Sequence, residues 1–348
     1  MKRGKRPLQA HASRSRNRPG IGASLRLQSR LRHALKTGEA ALAIRVVIPD
    51  LISPSYFPAI AAVEMGFFKK EGLDATLELV FPVTRAYEEL RDGKCDFVGG
   101  ASHAPLYAFK DWAGARLLCA LAQNMYWFLV VRADLKAKRG DLQAIRGLRI
   151  GAAPGPVDGL RRMLREVGMD PDKDVKIGPV PAAAGVGASF GVAAAKAMEN
   201  GDIDGFWANG MGMEVAIRKG TGTLLIDARR GDGPAPALDY TFPALVATQK
   251  TVDERPEFAA AGVRAVVAAQ KALREDPERA TAIGRKLFPE YEASLIAELV
   301  ARDLPFYDAT ISEHKVSAMN RFARDMGILS KDVAYGELVP AQMRALWK

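Results

Sequence analysis

The chain has 348 residues, with 50 lysine and arginine residues against 40 aspartate and glutamate residues, 48% hydrophobic side chains and 2 cysteines. This composition is typical of a globular protein with one large or two medium domains, and it excludes disordered, collagenous and disulfide-stapled proteins. Residues 1–43 hold 11 of the basic residues and a single acid, Glu39. The remaining 305 residues carry 39 basic and 39 acidic side chains, so a basic surface for nucleic acid is not expected.

The first 43 residues start with basic side chains but lack the run of about 7 to 15 apolar residues that a secretory signal needs. We interpret residues 1–43 as a basic flexible arm or leader, with a start codon assigned too early as the alternative. Elsewhere no run approaches the roughly 18 to 20 apolar residues of a membrane-spanning helix, so no membrane-spanning segment is expected.

The cysteines and histidines do not form a metal-binding pattern. Cys95 and Cys119 lie in apolar segments without a second CxxC, which predicts ordinary buried thiols. Of the four histidines, only His103 and His314 lie beyond residue 43. We therefore expect neither a metal site nor a cofactor.

From residue 44 onward, short apolar runs alternate with amphipathic stretches, as in strand–helix–strand units of a parallel or mixed sheet. The long apolar run 115–131 is divided at Gln123-Asn124 into two strands with a hinge between them. Gly72 is predicted to end the first helix in a left-handed conformation, and Thr84 is predicted to cap the next helix. Strands are predicted at 44–49, 75–81, 96–99, 148–151, 175–180, 203–207, 223–226 and 245–248. Helices are predicted at 57–70, 85–91, 160–167, 192–199, 258–273, 278–287, 293–301 and 312–326.

Five local patterns occur in a fixed order: GFFKKEGL, LRDGKCDF, IRGLRIG, AMENGDIDG and EDPE, starting at residues 66, 90, 145, 197 and 275. Together they resemble the substrate-binding proteins of ABC importers of the nitrate/sulfonate/taurine type, a group that also includes binders of thiamine-pyrimidine precursors. The resemblance covers about residues 44 to 324. It implies an α/β, type II periplasmic-binding-protein fold, in which two lobes joined by two crossing strands close on a ligand.

The resemblance also implies a division of the chain and a set of partners. The crossings are expected near Asn124 and Leu245, which gives lobe 1 at 44–128 plus 245–348 and lobe 2 at 129–244. The implied partners are a small-molecule ligand and the permease and ATPase subunits of an ABC transporter. A monomer in the periplasm is expected, with the cytoplasm as the alternative because no signal peptide is recognisable in the sequence.

In an open α/β sheet, ligands bind beyond the carboxyl ends of the strands, against helix N-termini. This rule selects residues after three strands of lobe 1, in the hinge and after two strands of lobe 2. The candidate ligand-binding residues are Ser53, Tyr56, Phe57, Arg85, Ser102, His103, Asn124, Tyr126, Trp127, Pro154, Gly155, Pro156, Trp207 and Asn209.

Each candidate has an ordinary structural alternative. Ser53 can be only a helix N-cap, and the tyrosine and tryptophan side chains can be core residues. Arg85 can pair with a carboxylate or sulfonate, or it can simply be solvated at a helix start. His103 can donate to an anionic ligand or make binding depend on pH, or it can cap a helix. Residues 154–156 form either a rigid turn or a loop that lets a ligand approach backbone N–H groups.

The expected function is binding without chemistry, with a small organic ligand that has an apolar or aromatic part and one anionic group. An enzyme is the main alternative, because this family distantly resembles the fungal thiamine-pyrimidine synthase. In that enzyme a lysine that carries pyridoxal phosphate and a nearby histidine follow the third strand, whereas residues 96–103 here keep His103 and lack a lysine. A Schiff base needs an amine, so that chemistry has no nucleophile in this stretch. A ligand-sensing receptor is the third alternative.

Overall fold

Two five-stranded sheets organise the residues that the computed structural model describes, which are 41–180 and 189–348. In chain order the strands are β1 (Leu42–Ile48), β2 (Leu73–Leu79), β3 (Phe97–Ala101), β4 (Ala115–Ala120), β5 (Phe128–Arg132), β6 (Arg149–Ala152), β7 (Lys176–Gly178), β8 (Gly205–Ala208), β9 (Gly222–Asp227) and β10 (Pro243–Thr248). The strand order is β2-β1-β3-β10-β4 in the first sheet and β7-β6-β8-β5-β9 in the second.

Helices lie between and after the strands. In chain order they are α1 (Phe57–Glu64), α2 (Phe67–Lys70), α3 (Val83–Arg91), α4 (Val157–Glu166), α5 (Phe190–Glu199), α6 (Gly210–Arg218), α7 (Gln249–Glu254), α8 (Pro256–Glu275), α9 (Arg279–Leu287), α10 (Glu290–Asp303), α11 (Glu313–Asp325) and α12 (Tyr335–Leu338). We call the first sheet with α1–α3 and α7–α12 lobe 1, and the second sheet with α4–α6 lobe 2.

Each sheet mixes parallel and antiparallel pairs in the same way. In lobe 1, β1 is parallel to β2 and β3, whereas β10 is antiparallel to β3 and β4. In lobe 2, β6 is parallel to β7 and β8, whereas β5 is antiparallel to β8 and β9. The chain passes between the lobes after β4, through residues 121–127, and again after β9, through residues 228–242. The predicted α/β class with two lobes is confirmed.

None of the helices in the described part of the chain combines the length and apolar character that crossing a membrane requires.

Two predictions about the first helices need correction. The predicted helix 57–70 is divided into α1 and α2, because Gly66 has a φ of +71° and the right-handed helix cannot continue through it. Thr84 is not a cap, since α3 starts one residue earlier at Val83 and follows Pro82. The predicted left-handed stop at Gly72 is confirmed, with a φ of +79°.

Helix α6 was not predicted from the sequence. Gly210 and Gly212 lie in its first turn, and glycine is a poor helix former. The glycines are needed for packing, because a Cβ atom on Gly212 would lie 2.3 Å from the carbonyl oxygen of Gly191 in α5. The sequence prediction missed α6 because it relied on helix propensity, whereas these glycines are explained by the close packing of α6 on α5.

The predicted arm at 1–43 lies outside the described residues except for its end, where β1 already starts at Leu42. Residues 181–188 also lie outside them, and α5 starts at Phe190, two residues before the predicted helix 192–199. Cys95 and Cys119 are free, buried thiols, as the sequence predicted.

Candidate functional site

A cavity lies between the two lobes, at the carboxyl ends of β1, β2, β6 and β8. Its lining comes from both lobes and from the first crossing segment. The lining residues are Pro49, Asp50, Tyr56, Phe81, Val83, Tyr126, Trp127, Ala153, Pro154, Pro156, Phe190, Trp207, Ala208 and Asn209.

Aromatic side chains dominate this lining. The Tyr56 and Tyr126 hydroxyls are 2.6 Å apart, and their rings meet edge to face with centroids 5.5 Å apart. The Trp127 ring lies 4.6 Å from that of Tyr126 and 6.1 Å from that of Trp207, measured between centroids. Burial raises the pKa of Tyr56 and of Tyr126 well above the ordinary tyrosine value, so both hydroxyls stay protonated. Such flat, rigid surfaces are suited to gripping an apolar or aromatic ring.

A second aromatic pair joins the lobes across the cavity. Phe81 follows β2 of lobe 1 and Phe190 starts α5 of lobe 2, and their rings stack with centroids 6.0 Å apart. This contact exists only when the lobes are close together. The structure therefore shows the cleft in a closed arrangement.

Asp50 is the charged residue of the lining, and it is 6% exposed. Its Oδ2 accepts hydrogen bonds from Ser189 Oγ at 2.9 Å and from Asn209 Nδ2 at 2.7 Å, and its Oδ1 accepts one from the Ile52 N–H at 2.9 Å. Burial raises the pKa of the Asp50 carboxyl to about 6, even though the hydrogen bond from Ser189 and the backbone hydrogen bonds act in the opposite direction. Ser189 and Asn209 belong to lobe 2, so this carboxylate of lobe 1 also holds the lobes together.

His103 makes a separate connection between the lobes. It is fully buried, and its Nδ1 lies 2.9 Å from Thr241 Oγ1. Its Nε2 lies 3.3 Å from the carbonyl oxygen of Gly155 and 3.5 Å from Asp158 Oδ2. Tyr107 donates to the same Asp158 carboxylate at 2.6 Å. His103 does not line the cavity and does not cap the following turn with its side chain.

Arg229 lies behind the aromatic wall with its charge compensated. The guanidinium is fully buried, with Nη1 2.6 Å from Asp303 Oδ2, and Nη2 donates to Ser55 Oγ at 3.1 Å. It lies 5.8 Å from the centroid of the Tyr126 ring. Among the described residues that line the cavity there is no lysine, arginine or histidine.

The structure brings half of the sequence-predicted site residues to the cavity. These are Tyr56, Tyr126, Trp127, Pro154, Pro156, Trp207 and Asn209. Asn209 also accepts hydrogen bonds from Met211 N and Gly212 N, so it caps α6 and donates to Asp50 at the same time.

The other candidates from lobe 1 lie away from the cavity. Phe57 is buried in the core of lobe 1, where its ring packs edge to face on Phe288 at 6.4 Å between centroids. Arg85 lies at the surface and pairs with Glu88 at 2.8 Å on the same helix, so it does not offer its charge to the cleft. Ser53 is fully buried, and its Oγ has no hydrogen-bond partner in the described part of the chain, so it is not an N-cap.

The remaining candidates support the crossing segments. Ser102 Oγ accepts a hydrogen bond from the Phe242 N–H at 3.2 Å. Asn124 has a φ of +66° and donates to the carbonyl of Arg229 at 3.1 Å. Gly155 has a φ of +88°, and its backbone lies so close to lobe 1 that a Cβ atom would be 2.6 Å from Val83 Cγ1. These residues therefore shape the closed cleft without lining it.

Sequence reasoning missed Asp50, Phe81, Val83 and Phe190, together with three small residues of the lining. A signal existed for Asp50, because it follows β1 within two residues and the rule on strand ends applies to it. The candidate residues chosen after β1 began at Ser53, three positions later, so Asp50 was left out. Phe190 carried no such signal, since it lies at the start of a helix rather than at a strand end.

Several solved structures are similar to this chain over most of its length. A protein of Bordetella bronchiseptica RB50 has a TM-score of 0.71 and 21% identity, covering 87% of this chain and 96% of its own. The alkanesulfonate-binding protein SsuA from Xanthomonas axonopodis pv. citri, bound to MOPS, has a TM-score of 0.67 and 14% identity, covering 85% and 97%. A mutant of DSZB in complex with biphenyl-2-sulfinic acid has a TM-score of 0.60 and 16% identity, covering 87% and 98%.

These similarities define the fold as that of the periplasmic binding proteins, which confirms the predicted fold class. The model of the family described as NMT1/THI5 like matches residues 53–280, more than half of the chain. The chain belongs to this NMT1/THI5-like family, and the resemblance stated from the sequence is confirmed. A search of the curated proteins finds no match.

Proposed function

We propose that this protein is a solute-binding protein that closes its two lobes on a small organic molecule with a planar, apolar or aromatic part. The observation that carries the proposal is the cavity between the lobes, to which both lobes and a crossing segment contribute aromatic side chains. A ligand that touches both lobes stabilises the closed form relative to the open one.

The anionic group that was expected on the ligand is not retained in this proposal. Arg85 lies at the surface, and Arg229 already binds Asp303, so neither offers an unpaired positive charge to the cleft. The aromatic part is retained because Tyr126, Trp127 and Trp207 form a continuous wall.

A transport role is part of the same proposal, and the names of the structural neighbours support it. SsuA from Xanthomonas axonopodis is named as an alkanesulfonate-binding protein, and SsuA from Methylobacillus flagellatus is named as the periplasmic sulfonate-binding protein of a putative sulfonate ABC transporter. We propose that the permease and ATPase subunits of an ABC importer are the partners, and that the protein acts as a monomer in the periplasm. Fractionation of cells that express the native locus tests the location, and recovery only from the cytosol would contradict it.

The enzyme alternative has DSZB as a precedent on this fold, but the cavity does not favour it. Cys95 and Cys119 do not line the cavity, and burial raises the pKa of the Cys95 thiol to about 12. A thiolate nucleophile is therefore disfavoured at neutral pH. No lysine lines the described cavity, so an amine nucleophile is not at hand there either.

The test is native mass spectrometry of the gently purified full chain, compared with the denatured mass of the same sample. A non-covalent adduct that disappears on denaturation supports binding and gives the mass of the ligand, whereas a covalent adduct supports the enzyme alternative. Ala153→Leu, which fills part of the cavity, is expected to lose the adduct. Ala113→Leu at an exposed loop position of lobe 1 is the control and is expected to keep it.

An empty protein leads to a second measurement on the same sample. Trp127 and Trp207 line the cavity, so their fluorescence is expected to change when a bound solute fills it. A panel of aromatic solutes is added, and fluorescence and the radius of gyration from small-angle scattering are recorded. If no solute changes either quantity, the proposal of a closing aromatic cleft is rejected.

A further inference from the structure

The cleft contains a buried carboxylate that only neutral groups surround. Asp50 receives hydrogen bonds from the Ile52 N–H, the Ser189 hydroxyl and the Asn209 amide. The structure shows no ion pair between Asp50 and a lysine, arginine or histidine of the described residues. Its titratable neighbour is Tyr56, whose pKa the Asp50 charge helps to raise. A buried carboxylate without a cationic partner is rare in proteins because its desolvation is costly.

The position of this carboxylate is a place where an anion is favoured. Helix α5 starts at Phe190, and the N–H groups of its first turn have no acceptor within the helix itself. The backbone N–H groups of Phe190 and Gly191 act to lower the pKa of Asp50, against the larger effect of burial. Ser189 precedes the helix but does not cap it with its side chain, and donates to Asp50 instead. The carboxylate of lobe 1 thus takes the place that a bound anion would take at the start of this helix.

The Asp50 carboxylate at the start of α5 affects the charge of the cleft. The described lining offers no cation, and one of its walls holds the Asp50 carboxylate. An anionic head group would lie beside a like charge in a site with little water, which raises the energy of the complex. A neutral or cationic head group would meet no such repulsion, and a cation would gain from the buried negative charge.

We propose that Asp50 sets the charge preference of the cleft: its carboxylate occupies the anion position at the start of α5, so that the cleft accepts a neutral or cationic aromatic solute and rejects an anionic one. The charge preference for a ligand rests on the proposed function. The position of Asp50 at the start of α5 does not, because it involves only contacts within the chain.

The first experiment tests the anion position without any ligand. Asp50→Ala removes the carboxylate and leaves space for a small anion at the same donors, so formate is expected to raise the melting temperature of this variant relative to chloride. The wild-type protein keeps its own carboxylate and is expected to show no such rise. Asp74→Ala, at an exposed position on β2, is the matched control. Equal responses of Asp50→Ala and Asp74→Ala to formate would overturn the assignment of the anion position.

The second experiment tests the charge preference and uses Asp50→Asn, which keeps the size of the side chain. The probes share one ring and differ in charge: benzylammonium, benzyl alcohol and benzoate, titrated by calorimetry. The wild-type protein is expected to bind benzoate about tenfold more weakly than benzylammonium, and Asp50→Asn is expected to remove most of this difference. Asp74→Asn is expected to leave the ratio unchanged, whereas a purely structural role of Asp50 would weaken all three probes alike.

The outcomes separate this inference from the proposed function. Wild-type protein that binds benzoate as tightly as benzylammonium overturns the charge preference and leaves the proposed function standing. The charge preference is also overturned if Asp50→Asn and Asp74→Asn give the same ratio. If no probe binds either protein, the aromatic-solute function fails, and the formate titration alone decides the role of Asp50.

Discussion

The raised pKa of Asp50 makes a specific prediction about how stability depends on pH. The pKa of this carboxyl rises from 3.8 to about 6 when the chain folds, because burial penalises the charged form. The folded state therefore binds the proton more tightly than the unfolded state. As pH falls from about 7 to about 4, the contribution of Asp50 to the free energy of unfolding increases, and below the unfolded pKa the gain is complete.

The size of this effect follows from the change in pKa. One pKa unit corresponds to about 1.36 kcal/mol, so a rise of roughly two units corresponds to about 3 kcal/mol over the whole range. Between about pH 7 and pH 4, the wild-type protein should gain on the order of 2 kcal/mol relative to Asp50→Asn, which cannot take up this proton. The carboxyl is 6% exposed, so screening by solvent does not reduce the effect much.

The assay is urea denaturation of both proteins at a series of pH values, followed by two probes whose transitions coincide. The quantity of interest is the difference in unfolding free energy between the wild-type protein and Asp50→Asn at each pH. Asp74→Asn loses one negative charge at an exposed position, and its difference curve sets the baseline. A wild-type advantage that stays constant or shrinks as pH falls would refute the reasoning, because it would mean that the folded state does not hold the Asp50 proton.

Two further variants test the closed cleft. Gly155→Ala should separate the lobes and raise the radius of gyration in scattering, because the new Cβ would lie 2.6 Å from Val83 Cγ1. Gly168→Ala has a similar φ of +73° and open space around it, so it should show only the backbone cost of about 1 to 2 kcal/mol, and equal radii for the two variants would contradict the steric argument. Tyr56→Phe should lower the unfolding free energy by about 1 to 3 kcal/mol in urea denaturation, because Tyr126 keeps a buried hydroxyl without its partner at 2.6 Å. A loss near zero would show that the pair of hydroxyls is not maintained in solution.

Much of the fold was predictable because glycine marks the ends of elements. Gly72 and Gly168 follow amphipathic runs, and both have φ above +70° in the structure, as helix stops require. The same logic failed for Gly66 and for the glycines of α6. A glycine inside an amphipathic run can break a helix, as Gly66 does, or let two helices approach, as Gly212 does. In both cases the sequence shows a glycine within a partly apolar run, and only the packing in the structure distinguishes a helix break from a helix contact.

The candidate site was predictable in position but not in orientation. The rule on strand ends led to the edge of both sheets where the cavity lies, because backbone topology alone determines where parallel strands end. It could not tell Tyr56, which faces the cavity, from Phe57, which faces the core of lobe 1. Successive residues at a helix start differ by about 100° in direction, so neighbours in sequence face different environments. The prediction for Arg85 has the same weakness, because Arg85 faces the surface, whereas Val83, two residues earlier, reaches the cavity.

The charge of the cleft depends on pairings that no local pattern reveals. Arg229 and Asp303 are 74 residues apart in the sequence, and they meet in a buried pair with atoms 2.6 Å apart. Because this pair is neutral overall, the arginine does not give the cleft a positive character. Asp50 lies on the same cleft with neutral partners only, so its charge is the one that is left uncompensated in the described lining. The charge of the ligand is therefore inferred from the ion pairs around the cleft and from the carboxylate in its lining, rather than from the composition of the candidate loops.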